Sequence, residues 1–128
     1  MLKVRALFVG ASLCLGAAAA GAQTAPDAVI ADPDAHQVAL ENDHVRVIRA
    51  LAPMGRKSPM HTHPPLLLVS LGSGRVRFTM PDGTKPILDL WPGRLIWIDG
   101  TEHAWEVLAG EVNVVAVEVK AAKAAKAK

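Results

Sequence analysis

The feature that most constrains the fold is a two-residue alternation of apolar and polar side chains through the middle of the chain. In "RVRFTM", residues 75–80, Val76, Phe78 and Met80 alternate with two arginines and a threonine. This period places the apolar side chains on one face of an extended strand, as in a half-buried β-strand. We find no segment of this region with a convincing helical pattern, so an all-β domain is predicted. Similar runs occupy residues 44–51, 93–98 and 112–119, the last of them rich in β-branched valine.

Turn-forming residues separate these runs. Pro81-Asp82-Gly83 follows the alternating run at 75–80, and Gly72-Ser73-Gly74 precedes it. Short strands with turn signals about every ten residues are typical of a β-sandwich or barrel. The 128 residues leave room for one modest domain. We place it at residues 36–120.

The first 22 residues have the pattern of a secretory signal peptide. A short basic start is followed by an apolar run that ends in Ala20-Gly21-Ala22, the small-residue pattern of a cleavage site. The apolar run is too short to favour a membrane span, which needs about 20 such residues. The alternative is an uncleaved N-terminal anchor. We expect export to the periplasm or the medium, a mature chain that begins at Gln23, and no membrane attachment after cleavage.

Two further segments flank the predicted domain. Residues 23–35 are rich in Ala, Pro and Asp and are interpreted as a linker or irregular arm. Residues 121–128 contain only Ala and Lys. They favour helix but are shorter than the roughly 12–15 residues that an isolated helix needs. We expect this tail to be disordered.

Cysteine content and charge limit the chemistry of the mature chain. The single cysteine, Cys14, lies in the signal segment, so the mature chain has no disulfide and no thiolate ligand. Any metal must be held by nitrogen and oxygen. Removing residues 1–22 takes two of the fourteen basic residues, which leaves twelve against twelve acidic residues. Without an excess of positive charge or a basic stripe interleaved with aromatics, no nucleic-acid partner is expected.

Two histidines one residue apart are the first candidate for a site. On a strand, His61 and His63 point to the same face, while Thr62 points to the other. This geometry suits two ligands on one metal, although the pair alone is a weak signal because any surface strand can carry two histidines.

The surroundings of this pair resemble the first motif of the cupin family. That motif is a glycine, five residues, His-x-His, three or four residues, a glutamate, six residues and a glycine. It matches here at Gly55, His61, His63 and Gly74. The glutamate should stand at position 67, where the chain has Leu67. No Asp or Glu occurs anywhere from residue 56 to residue 81.

The second cupin motif is matched more loosely. It is a glycine, five residues, Pro-x-Gly, two residues, a histidine, three residues and an asparagine. Gly93 and His103 match, Asp99 replaces the proline, the spacing to the histidine is one residue short, and the asparagine is missing. The resemblance covers about residues 40–119. It implies a small antiparallel jelly-roll β-barrel.

The resemblance also implies a metal site and a pocket. His61, His63 and His103 would converge on a divalent metal such as Fe, Zn, Mn, Ni or Cu. Trp105 lies two residues past His103, so it should share that face and line the pocket, with plain core packing as the alternative. Leu67 is assigned to the pocket as well. His36 and His44 stand outside the motif positions. Cupin-like barrels often pair through sheet edges, so we expect a homodimer, with the run at 112–119 as the candidate contact.

Two functions compete. In the first, three neutral imidazoles hold a metal with open positions, and the protein is a metalloenzyme acting on a small molecule. Some cupin dioxygenases that act on thiols or diketones are similar in using three histidines, so a dioxygenase is the candidate reaction. In the second, the lost glutamate marks a degenerate site, and the protein is a non-catalytic module that binds a small molecule or a metal. A structural barrel without metal is the third reading, and fold alone does not choose among them.

Overall fold

The computed structural model describes residues 25–122, which form one short helix and eight strands. The signal segment predicted at 1–22 and most of the predicted tail, residues 123–128, lie outside the described residues. In the described part of the chain, no helix has the length and apolar character needed to cross a bilayer. The elements are α1 (Ala28–Ala31), β1 (His36–Glu41), β2 (Val45–Pro53), β3 (Lys57–His63), β4 (Leu66–Ser70), β5 (Gly74–Thr79), β6 (Ile87–Leu90), β7 (Leu95–Ile98) and β8 (Thr101–Val119).

The long strand β8 belongs to two sheets. Its first half pairs with β3 and β5 in sheet I, which β6 extends. Its second half pairs with β2 and β4 in sheet II, which β1 and β7 complete. All of these strand pairings are antiparallel. Between the halves, Gly110 has a φ of 62°, and a β-carbon there would collide with the backbone oxygen of Ser73. A residue without a side chain is therefore required where β8 passes from one sheet to the other.

The core lies between the two sheets. Along β8 buried and half-buried residues alternate on either side of the Gly110 turn, so every second side chain points inward. The all-β antiparallel class is confirmed. Within residues 25–122 the pairings leave two open sheets facing each other, and strand pairing does not close a barrel. The buried apolar residues at the centre include Ala50, Val76, Trp105, Val107, Val112 and Val114.

The valine-rich run at 112–119 occupies the centre of sheet II. It pairs with β2 on one side and β4 on the other. Its backbone is therefore already hydrogen-bonded on both edges. The expectation that this run offers a sheet edge to a second copy is corrected by this placement.

The described part of the segment interpreted as a linker, residues 25–35, packs onto the body. The side chain of Asp27 caps α1 by accepting a hydrogen bond from the Val29 amide at 3.0 Å. The Thr62 amide, in β3, donates to the carbonyl of Pro26 at 2.9 Å. Ala28 and Ala35 are buried. The arm is thus fixed beside the strand that carries His61 and His63, and it leads directly into β1.

Candidate metal centre

His61 and His103 face each other across two neighbouring strands. They are direct partners in the pairing of β3 with β8, and their ring centroids lie 4.9 Å apart. His63, two residues along β3, has its ring 4.9 Å from that of His61 and 5.4 Å from that of His103. All three are buried. The three histidines of the sequence motifs therefore lie together between the sheets.

A fourth histidine joins them. His36, the first residue of β1, is buried, and its ring lies 4.7 Å from that of His61 and 5.8 Å from that of His63. One ring nitrogen from each of His36, His61 and His63 lies within 4.8 Å of the others. Of the predicted ligands, His103 is not in this group of described residues, although its ring contacts those of His61 and His63. The sequence motifs place His36 outside the site. Its contribution depends on how the arm and β1 pack across the domain, for which the sequence carries no spacing signal.

In two of these rings the nitrogen Nδ1, called the outer nitrogen below, is hydrogen-bonded to a backbone carbonyl. Nδ1 of His61 lies 2.7 Å from the carbonyl oxygen of Pro59, and Nδ1 of His36 lies 3.1 Å from that of Asp32. A carbonyl oxygen only accepts hydrogen bonds, so each Nδ1 must carry the proton. In the neutral ring Nε2 is then unprotonated, which is the form that binds a metal.

A buried carboxylate holds the third ring. Glu118 lies on β8, is 1% exposed, and accepts a hydrogen bond from Nδ1 of His63 at 2.8 Å. Its other oxygen accepts from Nε of Arg46 at 2.6 Å, and Arg46 also pairs with Asp27 at 2.6 Å. Burial alone would raise the pKa of Glu118, but hydrogen bonds from His63 and Arg46 outweigh it and lower the pKa. Glu118 is therefore an ionised acceptor that orients His63.

Glu118 stands directly opposite Leu66 in the pairing of β4 with β8. The carboxylate that the cupin motif places on β4 is absent, and the neighbouring strand supplies one instead. It reaches the outer nitrogen of His63 and does not point into the centre of the cluster. Sequence reasoning missed Glu118 because it lies 55 residues from His63.

The inner nitrogen of His61 has no partner. Nε2 of His61 is buried and makes no hydrogen bond within the described residues. A buried polar atom left unpaired is costly, and native proteins seldom tolerate one without a reason. Imidazole nitrogens are good ligands for Zn, Cu, Fe and Ni. The free nitrogen and the surrounding histidines therefore fit a divalent metal.

Burial favours the neutral form of three of these rings, those of His36, His61 and His103. It lowers the pKa of His61 to about 4 and that of His103 to about 2, and the neighbouring histidines push both in the same direction. The pKa of His36 is also lowered, again chiefly by burial. At neutral pH these rings are unprotonated, as metal binding requires.

A cavity of about 60 Å³ adjoins the histidines. Trp105 lines it, with its ring 5.9 Å from that of His36. Leu66 and Leu68 also line it, whereas Leu67 between them does not. Side chains alternate along β4, so Leu67 points to the opposite face of the strand. The assignment of Leu67 to the pocket is corrected accordingly, and its two neighbours take that place.

Comparison with known proteins identifies the fold. No protein-family model and no curated protein matches the sequence. Among solved structures, a cupin domain of Bordetella pertussis is 23% identical, has a TM-score of 0.60, and aligns over 78% of this chain and 100% of its own.

Two further solved structures agree. A double-stranded β-helix protein of Klebsiella pneumoniae is 19% identical with a TM-score of 0.54, over 66% of this chain and 74% of its own. An RmlC-like cupin of Methanocaldococcus jannaschii is 14% identical with a TM-score of 0.54, over 66% and 77%. At these identities the likeness concerns the fold, and the chain has the cupin fold that its motifs imply.

Proposed function

We propose that this chain is an exported cupin-fold protein that holds a divalent metal through His61, His63, His103 and His36 and uses it on a small molecule. The observation that carries the proposal is the buried, unpartnered Nε2 of His61. It lies among three further imidazoles, and a cation at this point would satisfy it.

The chain's own residues prepare the ligands. Glu118 and the carbonyls of Pro59 and Asp32 fix the rings of His63, His61 and His36 with Nδ1 protonated. Arg46 holds Glu118 in place. Such outer partners set the orientation and basicity of metal-binding histidines.

Neutral ligands leave the charge of a metal uncompensated. A divalent metal bound by imidazoles alone would act as a strong Lewis acid and would acidify bound water. The site should therefore attract an anionic group of a substrate or ligand.

The lining of the cavity bears on the kind of reaction. Among the described residues that line it, the only ionisable side chains are the histidines His36, His63 and His103, all of which we assign to the metal. No carboxylate or lysine lines the cavity to serve as a general acid or base. This supports a reaction that needs no protein acid or base, such as the dioxygenase chemistry implied by the resemblance. It equally supports the alternative of a non-catalytic module that binds a metal or a small molecule.

Elemental analysis of protein purified without an affinity tag tests the metal. We expect close to one divalent metal per chain at neutral pH. Protein that contains none, and that takes up none of Fe, Zn, Mn, Ni or Cu on titration, would overturn the proposal. Oxygen consumption with candidate substrates then separates the two functions, because a binding module raises its melting temperature with a ligand and converts nothing.

A further inference from the structure

The cavity beside the histidines is apolar. Apart from the histidines, its walls are aliphatic and aromatic side chains of both sheets, among them Leu68, Val76, Phe78, Leu88 and Val114. A water-sized group needs roughly 10–15 Å³ of such space. The volume of about 60 Å³ therefore admits a chain of only a few carbon atoms.

The arginines of β5 do not serve this cavity. Arg75 pairs with Asp89 at 2.7 Å, and Arg77 pairs with Glu106 at 3.0 Å, on the outer side of sheet I. Arg46 is engaged by Glu118 and Asp27. Since no charged side chain of the described lining points inward, a charge carried into the cavity by a ligand would remain unpaired.

We infer that the site takes a small apolar molecule with a single anionic metal-binding group, and that it discriminates against molecules whose body carries a second charge. This inference rests on the proposed metal site, which would supply the positive charge for the anionic end. The apolar wall receives the body. Amino-acid-like zwitterions are thereby disfavoured as substrates.

Two isosteric carboxylates test the inference. Pentanoate and 4-aminobutanoate have the same length and differ in a terminal methyl or ammonium group. We expect cobalt-loaded protein, titrated by calorimetry and by visible absorption, to bind pentanoate at least tenfold more tightly. Equal affinity or a preference for 4-aminobutanoate would overturn the substrate class while leaving the metal site standing. Failure to take up cobalt, together with failure to take up Fe, Zn, Mn, Ni or Cu, would instead overturn the proposed function itself.

Neighbouring leucines provide a matched pair of variants. Leu68 lines the cavity and Leu67 faces away, and both are half-buried on the same strand. Leu68→Ala enlarges the cavity, so the tightest-binding member of a series from butanoate to octanoate should become longer. Leu67→Ala should leave the preferred length unchanged. Equal shifts in both variants, or none in Leu68→Ala, would contradict the inference.

The outer face of sheet II carries apolar side chains from all five strands around one exposed arginine, Arg49. Antiparallel sheets usually present polar side chains to water on the face away from the core. Here Leu40, Trp97 and Leu95 are 52%, 53% and 63% exposed. Cross-strand neighbours on this face form three rows: Leu40, Val47, Val117, Leu67 and Trp97; Gln37, Arg49, Val115, Val69 and Leu95; Val45 and Val119.

We propose that a second copy of this chain covers this face. With strands about 4.8 Å apart and rows two residues apart, the ten apolar side chains of these rows cover on the order of 400 Å² of sheet. That is about half of the roughly 800 Å² per partner in a stable interface, and the polar rim would supply the rest. Arg49 is the single charged side chain of these rows, so an anionic surface finds little on this face to pair with. Two largely apolar sheet faces can pack as the layers of a β-sandwich do.

Sedimentation at micromolar concentration tests this interface. We expect a dimer for the wild type and a monomer for Trp97→Lys, with the metal content unchanged. Trp91→Lys is the control, because Trp91 is equally exposed, at 52%, but lies outside the apolar rows. A wild-type monomer would overturn the proposal. If that monomer binds neutral phospholipid vesicles, the face serves a membrane instead.

Discussion

Glu118 and His63 form a buried hydrogen-bonded pair, with Oε1 of the glutamate 2.8 Å from Nδ1 of the histidine. The two residues are 55 positions apart in the chain, one on the last strand and the other on β3. Because Arg46 donates a hydrogen bond to the second oxygen, both oxygens of the carboxylate are held in place. The pair therefore links the orientation of one predicted metal ligand to the packing of sheet II.

Replacing this carboxylate should weaken metal binding. For Glu118→Gln we expect the affinity for Zn²⁺ to fall by about 10- to 100-fold, the usual cost of losing an outer partner of a ligand. Competition with a chromophoric chelator measures it. Glu102→Gln is the matched control on the same strand, since Glu102 pairs across from Thr62 on the side away from the histidines. Equal affinities in wild type and Glu118→Gln would show that the pair does not act on the metal.

His36 should behave as a ligand. For His36→Ala we expect the metal affinity to fall by at least roughly tenfold. Loss of a residue that only hydrogen-bonds to a ligand already costs that much, and here the ligand itself is removed. His44→Ala should not change it, because His44 is exposed and is absent from the histidine ring contacts. Titration of both variants with Zn²⁺ decides the matter. An unchanged affinity in His36→Ala would return the site to the three histidines of the motifs.

The metal-free protein should lose stability in mild acid. In the unfolded chain a histidine has a pKa of about 6.5, whereas burial lowers that of His61 to about 4 in the fold. Between these values the unfolded state binds more protons, so the free energy of unfolding falls as the pH drops. The contribution is complete above about pH 6.5 and is lost toward pH 4. For His61 it amounts to about 3 kcal/mol at 1.36 kcal/mol per pKa unit.

Urea denaturation in the presence of a chelator measures this dependence. The wild type should unfold at distinctly lower urea at pH 4.5 than at pH 7, and His61→Gln should show a shallower change. A wild-type midpoint that stays constant over this range would contradict the burial of neutral histidines.

A glutamate at position 67 should not restore the cupin carboxylate. Because Leu67 faces outward, Leu67→Glu should leave the metal affinity within about twofold and should dissociate the dimer, since it buries a charge in the apolar face. Metal titration and sedimentation on one sample report both effects. A clear rise in metal affinity would mean that position 67 reaches the centre.

Export predicts a defined N-terminus. When the full chain is expressed with its first 22 residues, the exported protein should begin at Gln23, because Ala20 and Ala22 are the small residues that a signal peptidase recognises. Mass spectrometry of periplasmic or secreted material measures this. An intact mass that includes Met1 would argue for the uncleaved anchor.

The strands could be predicted because their period is local. The run "RVRFTM" became β5 with Val76 buried, and the leucine run became β4. The alternation of β3 could not be continued past His63 to predict which face each residue of β4 occupies. Pro64 and Pro65 separate β3 from β4, so the alternation begins again at Leu66.

The rest of the site depends on contacts that join distant parts of the chain. His36 reaches the cluster only because the arm docks on β3, and Glu118 only because β8 continues past Gly110 into sheet II. The two cupin motifs depend on the spacing of residues along the chain. They cannot predict a carboxylate or imidazole that reaches the site only because distant strands pack together.

The continuity of β8 also determines how the molecule should open. His103 and Glu118 lie on one strand that pairs with neighbours in both sheets, so these two residues cannot separate unless strand pairing in the sheets is lost. Amides of β3 and β8 should exchange with solvent only through global unfolding, the slowest class of opening. Metal bound at the histidines would then slow hydrogen exchange throughout the domain, including strands that never touch it.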